Sequence, residues 1–366
     1  MVVMSRPQVV VPENRIGIDD LCAWTRRAFP QHPRLDAAER AMRRTQVFTR
    51  HWIRGLHQSL SATSELDGGS LARFNGSVDL AVAAARKTLN DTGIAPGQVG
   101  CLVVVSSAGY ALPGIASPLI GQLGLSPDVR IIQGAHSGCA GGVWGIIRAA
   151  EQARQQPGIP VLLVTADVWS GCQPPDADDL GSIIQRALFA DAAAATIVTT
   201  DCAQVPKPAI GLHTSLERTV LDLAHLITVW HGERGPRIHM DPGIPAAVDD
   251  HVVPAVVQWL KTTATLEQGW EPTWISTHTG GPRVLDALAS GLGIERRLLR
   301  HARASLSALG NVGGASVLDV LSRHWEDPPA DNAHGMLLGL GPGFTVVAAR
   351  ASWINPTPPT PPTVTG

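Results

Sequence analysis

Short uninterrupted apolar runs alternate with amphipathic stretches through the first half of the chain. CLVVVS (101–106), VRIIQ (129–133), VLLVT (161–165) and AAATIV (193–198) are brief and rich in β-branched residues or alanine. Runs of that kind predict strands covered on both faces. Between them, LAVAAARKTLNDTG (80–93), AGGVWGIIRAAEQARQQ (140–156) and LGSIIQRALFAD (180–191) place apolar residues at helical spacing. The rhythm returns in the second half: a helix at about 246–265, a strand in TWIST (273–277), a helix in PRVLDALASGL (282–292), another after Gly313, and two strands, GMLLGL and FTVVAAR. Each half closes on a β-rich run after a glycine-opened helix. The pattern predicts an α/β protein of two similar halves, 1–208 and 209–353, around one core, although no exact repeat is visible. Residues 354–366 alternate Pro with Thr and are expected to form an extended, solvated, disordered tail.

Composition narrows the class. The 366 residues are 44% hydrophobic and 16% charged, a balance that buries a large core and does not suit a disordered chain. A net charge of −2 gives no electrostatic footprint for nucleic acid or an anionic membrane. Five cysteines, at 22, 101, 139, 172 and 202, are scattered without a C-x-x-C pair, which speaks against a disulfide framework or a structural zinc site. No apolar run approaches the roughly 20 residues that span a bilayer. Pro7 and Pro12 interrupt the N-terminus before a signal-type stretch develops, so a cytoplasmic location is expected.

The most informative stretch for chemistry is GAHSGCAGGVWG (134–145), where a strand ends and a helix begins with Cys139 between glycines. A thiol there feels the positive end of the helix dipole, which favours thiolate, and glycines leave room for a substrate. The alternative use of such a cysteine is as a small buried hydrophobe. A nucleophilic Cys needs an imidazole. Among 13 histidines, His278 follows a predicted strand and precedes Gly280, Gly281 and Pro282, and strand ends are where catalytic side chains gather in α/β sheets. Asn311, in SALGNVGGASVLDVL, opens another helix and could supply a neutral donor for an oxyanion or enolate; alone, it would be a helix cap. His136 lies three residues before Cys139 but lacks further metal ligands. GLGPGFTVV (339–347) lacks the strand, G-x-G-x-x-G and helix order of a dinucleotide loop and reads as a tight β-hairpin.

Taken in order, GCAGG around Cys139, ALFADAAAA (187–195), THTGGPRVLD (277–286), GNVGGASVLDVL (310–321) and GLGPGFT (339–345) resemble the chalcone synthase superfamily, the type III polyketide synthases, over about 101–350. The resemblance implies a thiolase-like fold, two duplicated halves in a five-layered αβαβα arrangement, a homodimer, and a Cys-His-Asn triad that maps onto Cys139, His278 and Asn311. It implies that an acyl-CoA starter is loaded on Cys139 and extended by decarboxylative Claisen condensation with malonyl-CoA or alkylmalonyl-CoA. Because the CoA thioesters are substrates, no cofactor and no metal is expected. Similarity to the bacterial germicidin and alkylpyrone-forming members points to a fatty or branched starter and a pyrone or resorcinol-type product.

The family's two gatekeeping phenylalanines correspond to Phe189 and Ile238, and its cavity positions to Ser107, Leu112, Cys172 and Gly313, with Gly280 beside the histidine. Ile238 in place of Phe, and Gly313 where relatives often carry Ser, suggest a roomier or more apolar starter pocket. Arg43, Arg44 and Arg50 are candidate contacts for CoA phosphates. Two other readings share the same residues: a ketoacyl synthase III-like condensing enzyme or acyltransferase that uses an acyl carrier protein, and a catalytically silent scaffold of the same fold. The extender that is accepted separates the first, and the reactivity of Cys139 separates the second.

Overall fold

In chain order the strands are β1 (Val2–Met4), β2 (Gln8–Val10), β3 (Asn14–Gly17), β4 (Thr49–Trp52), β5 (Cys101–Val105), β6 (Arg130–Gly134), β7 (Val161–Val168), β8 (Asp191–Thr199), β9 (Ala209–Thr219), β10 (Ile227–Gly232), β11 (Gly235–Met240), β12 (Trp274–Thr277), β13 (His334–Gly341) and β14 (Thr345–Ile354). The structure, a computed structural model, describes residues 1–61, 69–108, 111–170, 172, 174–232, 235–266 and 270–355. Ten strands form one sheet in the order β12-β13-β14-β9-β1-β8-β7-β5-β6, with β2 against β8.

The two halves share one connectivity. β5 runs parallel to β7, β7 antiparallel to β8, and β8 antiparallel to β1. β12 runs parallel to β13, β13 antiparallel to β14, and β14 antiparallel to β9. The halves join where β1 pairs with β9. Duplication that no residue repeat displays is therefore carried by topology. The helix Gly141–Gln155 touches β5, β7 and β8 of the first half and β13 and β14 of the second, while Ala315–Arg323 touches β12 and β13 together with β7 and β8. These two helices form the middle layer. Gly69–Thr92 covers β7 and β8 from outside, and Val253–Leu266 and Arg300–Leu309 lie against β9 and β12, which completes five layers. A Cβ on Gly142 would collide with the Gly314 carbonyl, so the N-termini of the two central helices meet backbone to backbone.

β5, β7 and β8 are buried at every position, which is why they read as continuous apolar runs. Several boundaries differ from expectation. The helix expected at 80–93 starts at Gly69, because packing on β7 and β8 carries it through Gly76 and Ser77, which intrinsic propensity disfavours. The helix expected to reach 191 stops at Leu188, since Asp191 already pairs in β8. The helix near 246–265 is interrupted by a π turn, Val248–Val252. β1, only three residues long, carries no periodic signal yet lies at the sheet's centre. Ile354 pairs with Ala209, and Asn355 N–H donates to Asp331, so the chain stays in the fold past the expected limit at 353. The rest of the Pro/Thr segment, 356–366, lies outside the described residues. Among the described residues no helix is long and apolar enough to cross a membrane.

Candidate active site

β6 ends at Gly134, and one tight turn, Gly138–Ala140, delivers Cys139 to the start of the helix Gly141–Gln155. Close approaches hold the turn. Gly138 has φ +50°, and a Cβ there would lie 2.6 Å from Pro342 Cδ in the β13–β14 hairpin. Its N–H donates to Ser107 Oγ at 2.9 Å, and the Ser107 N–H donates to Asp167 Oδ1 at 2.6 Å. The other Asp167 oxygen accepts from Gly314 N–H at 3.0 Å. One buried carboxylate thus ties the support of Cys139 to the turn after Asn311. The glycines expected to make room for substrate serve packing instead: Gly141 rests on Val105 and Gly142 on Gly314.

The other half brings its residues by the equivalent route. His278 follows β12, its N–H donating to the Leu338 carbonyl at 3.2 Å. Thr279 Oγ1 donates to the Gly310 carbonyl at 2.9 Å, which links the histidine loop to the asparagine loop. Gly280 leaves the imidazole clear, since a Cβ there would sit 2.6 Å from His278 Nε2. Asn311 is fixed by its N–H on the Leu188 carbonyl at 2.8 Å and by Ala190 N–H on its own carbonyl at 3.0 Å.

Cys139, His278 and Asn311 line one cavity of about 50 Å³, with Phe189, Ile238 and Gly280 in the same lining. The thiol donates to Asn311 Oδ1 at 3.4 Å, and Gly313 N–H donates to the same oxygen at 3.0 Å. With Oδ1 occupied twice, Asn311 Nδ2 remains the amide's uncommitted donor. A wider groove of about 330 Å³ beside Asn14, Arg27 and His57 contains none of these groups, so the chemistry belongs to the smaller cavity. Among the described residues no group of three or more His, Cys, Asp or Glu could hold a metal ion.

Burial opposes the charge state expected for the sulfur. Desolvation pushes the Cys139 thiol up to about 12; the Asn311 hydrogen bond opposes this, and the Asp167 charge adds to it. The same desolvation lowers His278 to about 4. The helix terminus, equivalent to about half a charge, acts in the opposite direction, towards thiolate. Both shifts favour a thiol and a neutral imidazole in the resting pair. Alkylation of Cys139 by iodoacetamide, read on its own peptide, should therefore rise about tenfold per pH unit between roughly pH 7 and 10, because the thiolate fraction grows tenfold per unit below the pKa. A rate that is flat above about pH 7 would contradict the neutral pair.

The remaining cavity positions fall elsewhere. Leu112 is 86% exposed, on the outer surface. Ser107 stands one hydrogen bond behind Cys139. Cys172 is buried beneath Trp169, whose carbonyl accepts its N–H at 3.1 Å. Gly313 has φ +61°, and the place its side chain would take is already filled: a Cβ there would lie 2.4 Å from Trp169 Nε1 and 2.5 Å from Asp167 Oδ2. The pocket is apolar, as expected, but narrow: Gly313 creates no space, because an indole occupies it. Of the three arginines, Arg43 is paired with Asp19 and Glu39, Arg50 is wholly buried, and Arg44 is exposed. His136 is exposed and away from the lining. Asp167 and Trp169 escaped sequence reasoning; the one signal was an acid inside an otherwise apolar strand, VLLVTADV.

Comparison with known proteins assigns this arrangement. Residues 66–202 match the N-terminal domain of chalcone and stilbene synthases, and 212–350 match their C-terminal domain. A 1,3,6,8-tetrahydroxynaphthalene synthase from Streptomyces coelicolor is 29% identical over 361 residues, covering 96% of this chain and 92% of its own. Type III polyketide synthase 10 of Oryza sativa subsp. japonica is 30% identical over 278 residues, 73% of this chain and 69% of its own. The solved structure of germicidin synthase from Streptomyces coelicolor, a type III polyketide synthase, superposes with a TM-score of 0.88 at 25% identity, covering 96% of this chain and 99% of that one. With the cysteine-bearing and the histidine- and asparagine-bearing halves each matched, the chain belongs to the chalcone and stilbene synthase family and is a thiolase-fold, polyketide-forming Claisen condensing enzyme of the type III polyketide synthases.

Proposed function

We propose that Cys139 carries the acyl chain, and that His278 and Asn311 activate a malonyl-type thioester for attack on it. The observation that carries this reading is the convergence of the three side chains, from both halves, on one apolar cavity with Asn311 Nδ2 uncommitted. In loading, His278 takes the thiol proton as sulfur attacks the acyl-CoA carbonyl, and the proton leaves with the CoA sulfur. In extension, Asn311 Nδ2 and an imidazole N–H donate to the thioester oxygen of malonyl-CoA. The electrons of the breaking carbon–carboxylate bond pass into the enolate as carbon dioxide departs. The enolate carbon then attacks the acyl carbon and displaces the Cys139 sulfur. Among the described residues no Lys or Arg lines the cavity, so none of them offers the malonyl carboxylate a cation there, which favours its loss as neutral carbon dioxide.

The small cavity favours a short starter acyl group over the fatty or branched one suggested by resemblance, and with it a small cyclic polyketide of the pyrone or resorcinol type. CoA thioesters serve as substrates, and no cofactor takes part. The experiment is incubation with acetyl-, butyryl- and octanoyl-CoA, with malonyl either on CoA or on an acyl carrier protein, and products read by mass. Extension from malonyl-CoA is expected; extension only from the carrier-bound form would mark a ketoacyl synthase III-like enzyme instead.

The enzyme acts as a homodimer in the cytoplasm. β6 is the sheet's edge, with Arg130, Ile131 and Gln133 exposed, and a Cβ on Gly114 would collide with Gln133, so the loop bearing Leu112 lies along that edge. An exposed edge beside exposed Leu112 and Ile131 is a surface that a second copy would cover. Sedimentation at micromolar concentration giving only the single-chain mass of 38.6 kDa would reject the dimer.

A further inference from the structure

We infer that Trp169 sets the acyl-chain length this enzyme accepts, by walling the active-site cavity off from a second chamber behind it. The inference rests on the condensing role proposed for that cavity. The cavity at Cys139, about 50 Å³, and a chamber of about 10 Å³ lined by Trp52, Leu60, Ser170, Gln185 and Arg186 share, among the described residues, Trp169, Phe189 and Ile238. These three form the partition.

Two of its members are fixed through their backbone. Phe189 bridges to Asn311 and gives its carbonyl to Trp52 Nε1 at 3.2 Å, and Ile238 donates its N–H to the Cys172 carbonyl at 3.3 Å. Trp169 contributes through its side chain. It is 7% exposed, its ring stands 5.7 Å from that of Phe189 at 36°, and its Nε1 end fills the place left by Gly313. Among the described residues that Nε1 has no hydrogen-bond partner, and the indole is held by packing. Few atoms can enter a space of about 50 Å³ when ligand pockets commonly enclose about 300–1,000 Å³. Truncating Trp169 removes the bulk between the two spaces and joins them, and none of the hydrogen bonds described above for Cys139, His278 and Asn311 involves its side chain.

The test is acyl-enzyme formation on Cys139 by intact mass across acetyl-, butyryl-, hexanoyl- and octanoyl-CoA, for wild type, Trp169→Ala and Trp169→Leu. In wild type, octanoyl loading is expected to be at least about tenfold slower than acetyl loading. In Trp169→Ala, the ratio of octanoyl to acetyl loading should rise at least about tenfold; in Trp169→Leu, which keeps apolar contact with Phe189, the ratio should fall between. A gain of activity cannot come from misfolding. Identical length profiles in wild type and a folded variant, or wild type loading octanoyl as fast as acetyl, would overturn the wall. Absence of acyl-enzyme from wild type with every ester would overturn the condensing role itself, and this inference with it.

Discussion

Cys139→Ala is expected to form no acyl-enzyme and to lose condensation by about 10⁴-fold or more, because the variant removes the thiol proposed to hold the growing chain covalently. No other cysteine can take its place. Cys101 lies inside β5, Cys22 and Cys172 are buried outside the lining, and Cys202 is on the surface away from it. The fold should survive, since the thiol makes one side-chain hydrogen bond and Asn311 Oδ1 keeps its second donor, Gly313 N–H. Unfolding midpoints within a few degrees of each other, with acylation by mass in wild type alone, constitute the expected result. Equal acylation of the two proteins would remove Cys139 from the mechanism and reopen the reading of this chain as a silent scaffold.

Asn311→Ala should separate the two chemical steps. Loading needs the sulfur and the imidazole and should persist, whereas malonyl decarboxylation loses a donor aimed at developing negative charge and should slow by about 10²–10³-fold. This variant also strips Gly313 N–H of its acceptor inside the protein, at a cost of about 1–3 kcal/mol in stability. Asn311→Asp restores an acceptor but not the donor. Recovery of stability without recovery of decarboxylation would show that Nδ2, and not the repair of the turn, carries the effect. Carbon dioxide release from malonyl-CoA, measured apart from acylation, decides it; unchanged release in Asn311→Ala would exclude the asparagine from enolate stabilisation.

The fold was legible where burial is symmetrical and local. β5, β7 and β8 sit between layers, so most of their residues had to be apolar, and the runs announced themselves. β9 was not, because its buried start gives way to an exposed end as it crosses from β1 to β14, leaving neither an apolar run nor clean alternation. The β10–β11 hairpin, which brings Ile227, Val229 and Ile238 to the cavity, likewise has no counterpart in the expected elements.

Glycine-flanked turns at strand ends are specified by a few adjacent residues, and they were sufficient to single out Cys139, His278 and Asn311 and to suggest a doubled α/β body. Their charge and the space around them are properties of another kind. Whether the sulfur is ionised depends on how much water all surrounding segments exclude, and desolvation by the assembled cavity works against the local helix terminus. Whether Gly313 makes a pocket depends on what enters from elsewhere, and the indole of Trp169 enters. Proximity along the chain can nominate reactive groups, but dielectric and volume are set by residues that become neighbours only when the two halves close on each other.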